Sequence, residues 1–164
     1  MKKIRLNMYL DISYIMILAA SFGAVIVLGV IVAPIVFHTQ ELSHLSSALN
    51  HFSAGVVMAE IFNRFTFWLY LLLALVLFFE GRAYKEGQRD TITLISAFVT
   101  TSTILLFNVI YTPRILSLQS IGESATQSET FNNLHLASEF DFKLLALALL
   151  VLFFRKVMLM RTIK

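Results

Sequence analysis

Residues 12–37 read ISYIMILAASFGAVIVLGVIVAPIVF, without one charged side chain. A helix that crosses the hydrocarbon core of a bilayer needs roughly 20 mainly apolar residues, and this stretch is longer than that. Lys2, Lys3 and Arg5 precede it, as in a secretory signal peptide. The apolar run is too long for such a peptide and no small-x-small cleavage site follows, so a retained anchor helix is expected.

Three more runs of the same character lie further along the chain. The second ends in Phe67-Trp68-Leu69-Tyr70-Leu71 and on to Phe79, the third runs from about Ile92 to Tyr111, and the fourth ends with Leu144 to Phe154. Spans are therefore expected at about residues 12–37, 56–79, 92–112 and 135–155. The expected fold class is an all-α membrane protein, a bundle of four transmembrane helices. No Gly/Ser linker, repeat or low-complexity run divides the chain, so 1–164 is expected to form a single integral membrane domain. With 58% apolar and 14% charged residues among 164, the chain has too little polar surface for a soluble core and is too apolar for disorder. The net charge of +3 is not gathered into a patch, which argues against a nucleic-acid partner; the bilayer itself is the first partner expected. The absence of cysteine excludes disulfides, thiolate metal sites and cysteine nucleophiles.

Orientation follows from the basic residues, which favour cytoplasmic loops. Lys2, Lys3 and Arg5 flank the first span. Arg82, Lys85 and Arg89 lie between the second and third, and Arg155, Lys156, Arg161 and Lys164 close the chain. These are ten of 13 Lys and Arg residues. Both termini and the middle loop are thus expected in the cytoplasm, with all four histidines toward the outer face. In the first outer loop Leu42, Leu45, Leu49 and Phe52 share a helical face, which predicts a short amphipathic helix at the periplasmic surface. Ala19, Gly23, Gly29 and Ala33 form small-xxx-small pairs that admit a close neighbour in span one. Thr93, Ser96, Thr100 and Thr103 make a hydroxyl stripe on span three, suited to helix packing or to a polar pathway. Pro34 is expected to kink or end span one.

Counting from the cytoplasmic ends puts Glu60 near the outer hydrocarbon boundary and Arg64 a turn inside it. The same count puts Glu139 about one turn inside and Lys143 about two. Ionisable groups at such depth cost several kcal/mol unless paired or hydrated. Glu60–Arg64 and Glu139–Lys143 are each spaced i,i+4 with the acid first, the better order for a helical ion pair. They read either as two structural pairs or as parts of a shared polar pocket that Asn63, Asn108, Tyr111, Arg114 and Ser138 would join. Asp141 falls well round the helix from Glu139, toward a different neighbour. His51 and His135, on spans two and four, are the pair that could hold copper or axially ligate haem; the bland alternative is a pair of interfacial histidines. His44, His51 and Met58 are spaced by seven, about 10.5 Å apart along a helix, too far for neighbours to share one ion. No HExxH, Walker A, GxSxG or dinucleotide fingerprint is present, which argues against hydrolytic and nucleotide-dependent enzymes.

Four stretches together carry a family resemblance: Leu28-Gly29-Val30-Ile31-Val32-Ala33-Pro34-Ile35-Val36-Phe37, His51-Phe52-Ser53-Ala54-Gly55, Thr112-Pro113-Arg114-Ile115, and Phe131-Asn132-Asn133-Leu134-His135-Leu136-Ala137-Ser138-Glu139. The pattern resembles a bacterial family of four-span membrane proteins of unknown function, in the form found in Campylobacter and Helicobacter. It is distantly similar to a eukaryotic transmembrane family associated with cisplatin resistance, and more remotely to the copper-resistance membrane protein D group. The resemblance implies a four-helix membrane fold in a bacterial inner membrane and no established activity. The functional expectation is a protein that binds or moves a small ligand or cation at a periplasmic-side polar site, copper or haem first. A non-catalytic subunit or assembly factor of a larger membrane complex, or a homo-oligomer, is the alternative. A haem-binding redox protein comes third.

Overall fold

The computed structural model describes residues 2–38 and 49–162, and their side chains over 8–38 and 49–160. Every regular element among them is helical. Helix α1 spans Lys2–Ile26 and passes through a π-helical turn, Val27–Val32, into α2, Ala33–Phe37. Helix α3 spans His51–Lys85 and α4 spans Thr91–Leu105. A second π-helical turn, Leu106–Tyr111, leads into α5, Thr112–Ile121. Then α6, Glu123–Thr126, precedes the long α7, Glu129–Thr162.

Three continuous helical stretches are long and apolar enough to cross a membrane: Met8–Phe37, His51–Lys85 and Thr91–Ile121. The third outruns its expected end at residue 112, because the chain stays helical through Pro113. The expected fourth span lies within α7. Its apolar run, Leu144–Phe154, is bounded by Lys143 and Arg155, so composition alone does not mark it as a span. The amphipathic loop helix falls mainly on residues 39–48, outside the described residues. Asn50 is not helical but caps α3, its side-chain oxygen accepting from Ser53 N–H at 2.7 Å, and Phe52 belongs to α3. Asp90 caps α4 in the same way, accepting from Thr93 N–H at 2.9 Å. Gly87, with φ +89°, makes the turn between α3 and α4.

The helices close into a ring in which α1 packs on α7, α7 on α4, α4 on α3 and α3 on α1. Leu18, Leu69, Leu72, Val76, Ile104, Leu145, Leu149 and Leu152 are wholly enclosed. Phe142 is the hub toward the histidine end, with ring centroids 5.2 Å from Phe62, 5.3 Å from Phe107 and 6.5 Å from Phe65. Gly29 lets α1 pass close by; a Cβ there would meet the Phe142 ring at 3.6 Å.

Both π turns have one cause. Ala33 N–H bonds Leu28 C=O and Thr112 N–H bonds Phe107 C=O, each one residue further back than in an α-helix. The next residue is Pro34 in one case and Pro113 in the other, whose ring would clash with the carbonyl one turn earlier. Widening the preceding turn relieves that clash and lets the helix continue. Pro34 therefore does not end span one, which runs on to Phe37.

The two turns are also in register with each other, and the offset that carries Pro34 onto Pro113 holds along the chain. It superposes Asp11 on Asp90, Phe52 on Phe131, Glu60 on Glu139, Arg64 on Lys143 and Arg82 on Arg161. Buried positions follow: Tyr14 with Thr93, Leu18 with Ala97, Ser21 with Thr100, Val25 with Ile104, Ala59 with Ser138. The expectation that no repeat divides the chain is thus corrected. The bundle consists of two helical hairpins in the same register, α1–α3 and α4–α7.

Candidate functional site

At the histidine end, the residues expected to form one outer pocket occupy separate places. Arg64 Nε donates to Glu60 at 2.7 Å and Asn63 donates to the same carboxylate at 3.4 Å. Lys143 Nζ donates to Glu139 at 2.7 Å. All four charged side chains are at least half exposed and face away from the bundle. Among the described residues no hydrogen bond or ion pair joins one pair to the other. Arg114 lines a surface groove between α5 and the start of α7, with Ser117, Leu118, Thr130, Asn133 and Leu134. Tyr111, in the second π turn, packs against the core. Ser138 is buried and donates to the His135 carbonyl at 2.7 Å. The ring of His51 sits 5.5 Å from Phe37 and that of His135 stacks 6.1 Å from Phe131. Among the described residues no three His, Asp or Glu side chains group closely enough to hold a metal ion. Copper and haem gain no support from this arrangement.

The interior of the bundle carries a different set. The hydroxyl stripe of α4 is buried throughout, as its spacing of three and four requires. Its hydroxyls bond within their own helix: Thr93 to Asp90, Ser96 to the Ile92 carbonyl, Thr103 to those of Val99 and Thr100. What the stripe offers its neighbour is smallness, and α7 packs tightly along it. Thr100 Oγ1 has no hydrogen-bond partner. Its counterpart, Ser21, accepts from the Trp68 indole N–H at 3.0 Å. The same offset carries Trp68 onto Leu147, which has nothing to donate. Two further buried oxygens lack a partner, Asn108 Oδ1 and Asp141 Oδ2. Asn108 Nδ2 is engaged with the Thr66 carbonyl at 3.3 Å. Asp141 is 5% exposed while its neighbour Glu139 faces outward, as the helical offset between them implied.

The opposite, basic end holds the densest polar network, which sequence reasoning missed. Glu80 is buried on α3. Tyr14 O–H donates to its Oε1 at 2.8 Å, and Lys156 Nζ lies 2.7 Å from its Oε2. Tyr14 stacks on Phe79 at 4.5 Å, and Lys156 lies 6.0 Å above the Tyr14 ring. The network thus joins α1, α3 and α7, beside an open cavity of about 110 Å³ that Asp11, Arg82 and Glu86 also line. Arg155 pairs with Asp90 through two hydrogen bonds, tying α7 to the start of α4. That guanidinium, with help from Thr93, holds the Asp90 carboxyl well below the usual carboxylate range. The sequence signal for both pairs was weak. Each joins residues that read individually as charges at span ends.

A family model described as Domain of unknown function (DUF4149) matches residues 16–124. That segment holds the second part of α1, the whole of α3 and α4, and both π turns, and it ends before α7. No curated protein matches the chain, and no solved structure does.

Proposed function

We propose, from the premise that this chain belongs to the family of the domain of unknown function DUF4149, that it is a four-span membrane protein binding a small cation between α4 and α7. The observation that carries the reading is Asp141 Oδ2, a buried carboxylate oxygen without a hydrogen-bond partner; Asn108 Oδ1 and Thr100 Oγ1 are the other such oxygens among the described residues. A buried acceptor left unpaired costs about 1–3 kcal/mol, and more when it is charged. A proton or a small metal cation is the species that a buried carboxylate would recover energy by binding. The antiparallel register fixes the level of Asp141 on α4. Arg155 meets Asp90, so Asp141 falls at the level of Ile104 on α4. Thr100 and Asn108 lie about 6 Å to either side of that level, and so about 12 Å from each other, too far apart to hold one ion together; Asp141 itself carries the site. Ser138 lies one turn toward the histidine end on the same face of α7.

Reading α7 as the fourth span is part of the proposal. Its uncharged run, Leu144–Phe154, is only about 16 Å long. Of its charges beyond that run, Lys156 pairs with Glu80, Arg155 with Asp90 and Lys143 with Glu139, while Asp141 is buried within the bundle. Such a helix can cross a bilayer covered by its neighbours. The basic-residue bias supports both termini in the cytoplasm of a bacterial inner membrane, and the whole chain acts as one domain. Campylobacter-type proteins and the cisplatin-resistance family remain likenesses of sequence pattern. Reporter fusions after Arg89 and Lys164 should read cytoplasm, and those near Ser46 and Ser124 periplasm; a periplasmic signal at Lys164 would overturn the orientation.

Thermal unfolding in mild detergent tests the cation site, titrated in turn with acid, Na⁺ and K⁺. One of these should raise the melting temperature of the parent protein in a saturable way. Asp141→Asn, nearly isosteric, should fold and lose that response. An unchanged response in Asp141→Asn would overturn the site. A parent protein that responds to none would favour a purely structural subunit of a membrane complex.

A further inference from the structure

The two ion pairs at the histidine end are one feature present twice. Glu60 and Glu139 stand at the same position of the two hairpins, equally far beyond Pro34 and Pro113. They also stand equally far ahead of an arginine, Arg82 in one hairpin and Arg161 in the other. The helical rise from each glutamate to its arginine is about 33 Å, close to the ~30 Å of a hydrocarbon core. With Arg82 and Arg161 at one membrane boundary, both glutamates reach the other. Neither pair serves the bundle, since side-chain exposure is 79% and 50% at Arg64 and Glu60, and 72% and 50% at Lys143 and Glu139. Exposed pairs of this kind add at most about 1 kcal/mol to stability, too little to account for keeping charge one turn inside the boundary.

Helix direction explains what they face. Side chains tilt toward the N-terminus of their helix. On α3 and α7 that direction points to the histidine end, so Arg64 and Lys143 reach up toward their glutamates and the headgroup layer. Arg64 bonds Glu60 through Nε alone, which leaves the guanidinium's terminal nitrogens toward lipid. Lys143 gives Glu139 one of three donors. Exposed apolar rings adjoin both: Phe67 at 79%, one turn below Arg64, and Phe140 at 70%, one turn above Lys143. Each patch thus offers cationic donors and a carboxylate toward the headgroup layer, with an exposed ring below the basic residue on α3 and above it on α7.

We propose that these are two equivalent phospholipid headgroup sites, one per hairpin. The basic side chain takes the lipid phosphate and the carboxylate takes a primary ammonium; on α3, Phe67 lies along an acyl chain. The ligand class is a phosphate diester bearing an ammonium group, as in phosphatidylethanolamine. Native mass spectrometry of the detergent-purified chain with added phosphatidylethanolamine should show two retained lipids. Arg64→Met and Lys143→Met should each retain one, and the double variant none, with melting temperatures close to that of the parent. Phosphatidylcholine, whose quaternary ammonium has no N–H to donate, should be retained less. Two lipids still bound to the double variant would overturn the proposal, as would both lost together in a single variant. Inorganic phosphate should not displace the lipid at equal concentration; displacement would assign the sites to free phosphate instead. None of these outcomes depends on Asp141, so this proposal and the cation site stand or fall separately.

Discussion

Lys156→Met should lower the unfolding free energy by about 3–5 kcal/mol, the cost of breaking a buried ion pair from one side. Glu80 is 7% exposed, and without Lys156 its carboxylate keeps only the Tyr14 hydroxyl, 2.8 Å away. The expected response is protonation of Glu80 or entry of water into the neighbouring cavity, and both consume stability. The Glu80→Gln, Lys156→Met double variant removes both charges at once and should lie within about 1 kcal/mol of the parent, since neutral replacements of buried pairs are well tolerated. Denaturant unfolding in mild detergent, followed by circular dichroism, measures all three proteins. A single variant costing less than about 1 kcal/mol, against the larger loss expected of a one-sided break, would show that the pair does not hold α1, α3 and α7 together.

The second large effect is expected at Phe142. Its ring meets those of Phe62, Phe65 and Phe107 and fills the space that Gly29 leaves open on α1. Phe142→Ala should cost about 3–5 kcal/mol. Within a bilayer the loss is one of packing, because lipid tails are as apolar as the side chains they would replace. A void enclosed by four helices loses contacts on every side. Phe142→Leu, which keeps most of the volume, should cost about 1–2 kcal/mol. The same unfolding assay separates the two variants, and equal losses for Ala and Leu would point to a specific aromatic requirement rather than to volume.

What the sequence disclosed, and what it withheld, follows from the solvent. Apolar length is dictated by bilayer thickness, so the first three spans were legible from Ile12–Phe37, Phe67–Phe79 and Ile92–Tyr111 without any partner in view. The buried face of α4 was legible too, since Thr93, Ser96, Thr100 and Thr103 recur at helical spacing. The repeat was not, because apolar residues exchange freely where packing alone is selected. Leu18 stands opposite Ala97 and Trp68 opposite Leu147, and only a few polar and proline positions kept the register visible. The Glu80–Lys156 pair was hidden for another reason. Its members belong to different hairpins, and Lys156 sits in a basic cluster that the positive-inside pattern already explained. Asp141 could be singled out by its phase relative to Glu139, but its neighbours depend on how α7 docks on α4.

The short uncharged stretch of α7 bears on how the chain is made. An aspartate or a lysine at the centre of a lone helix raises the cost of partition from the translocon by about 2.5–3.5 kcal/mol each, and α7 carries Glu139, Asp141 and Lys143 in little more than one turn. Released alone into lipid, this last helix would be a poor insertion substrate. It acquires partners only once α4 has been synthesised and stands beside it, offering Asp90 and a narrow hydroxyl-lined flank. On the four-span reading proposed above, insertion of α7 is cooperative: the second hairpin enters the bilayer as a pair, with α4 finished before α7 has anywhere to go.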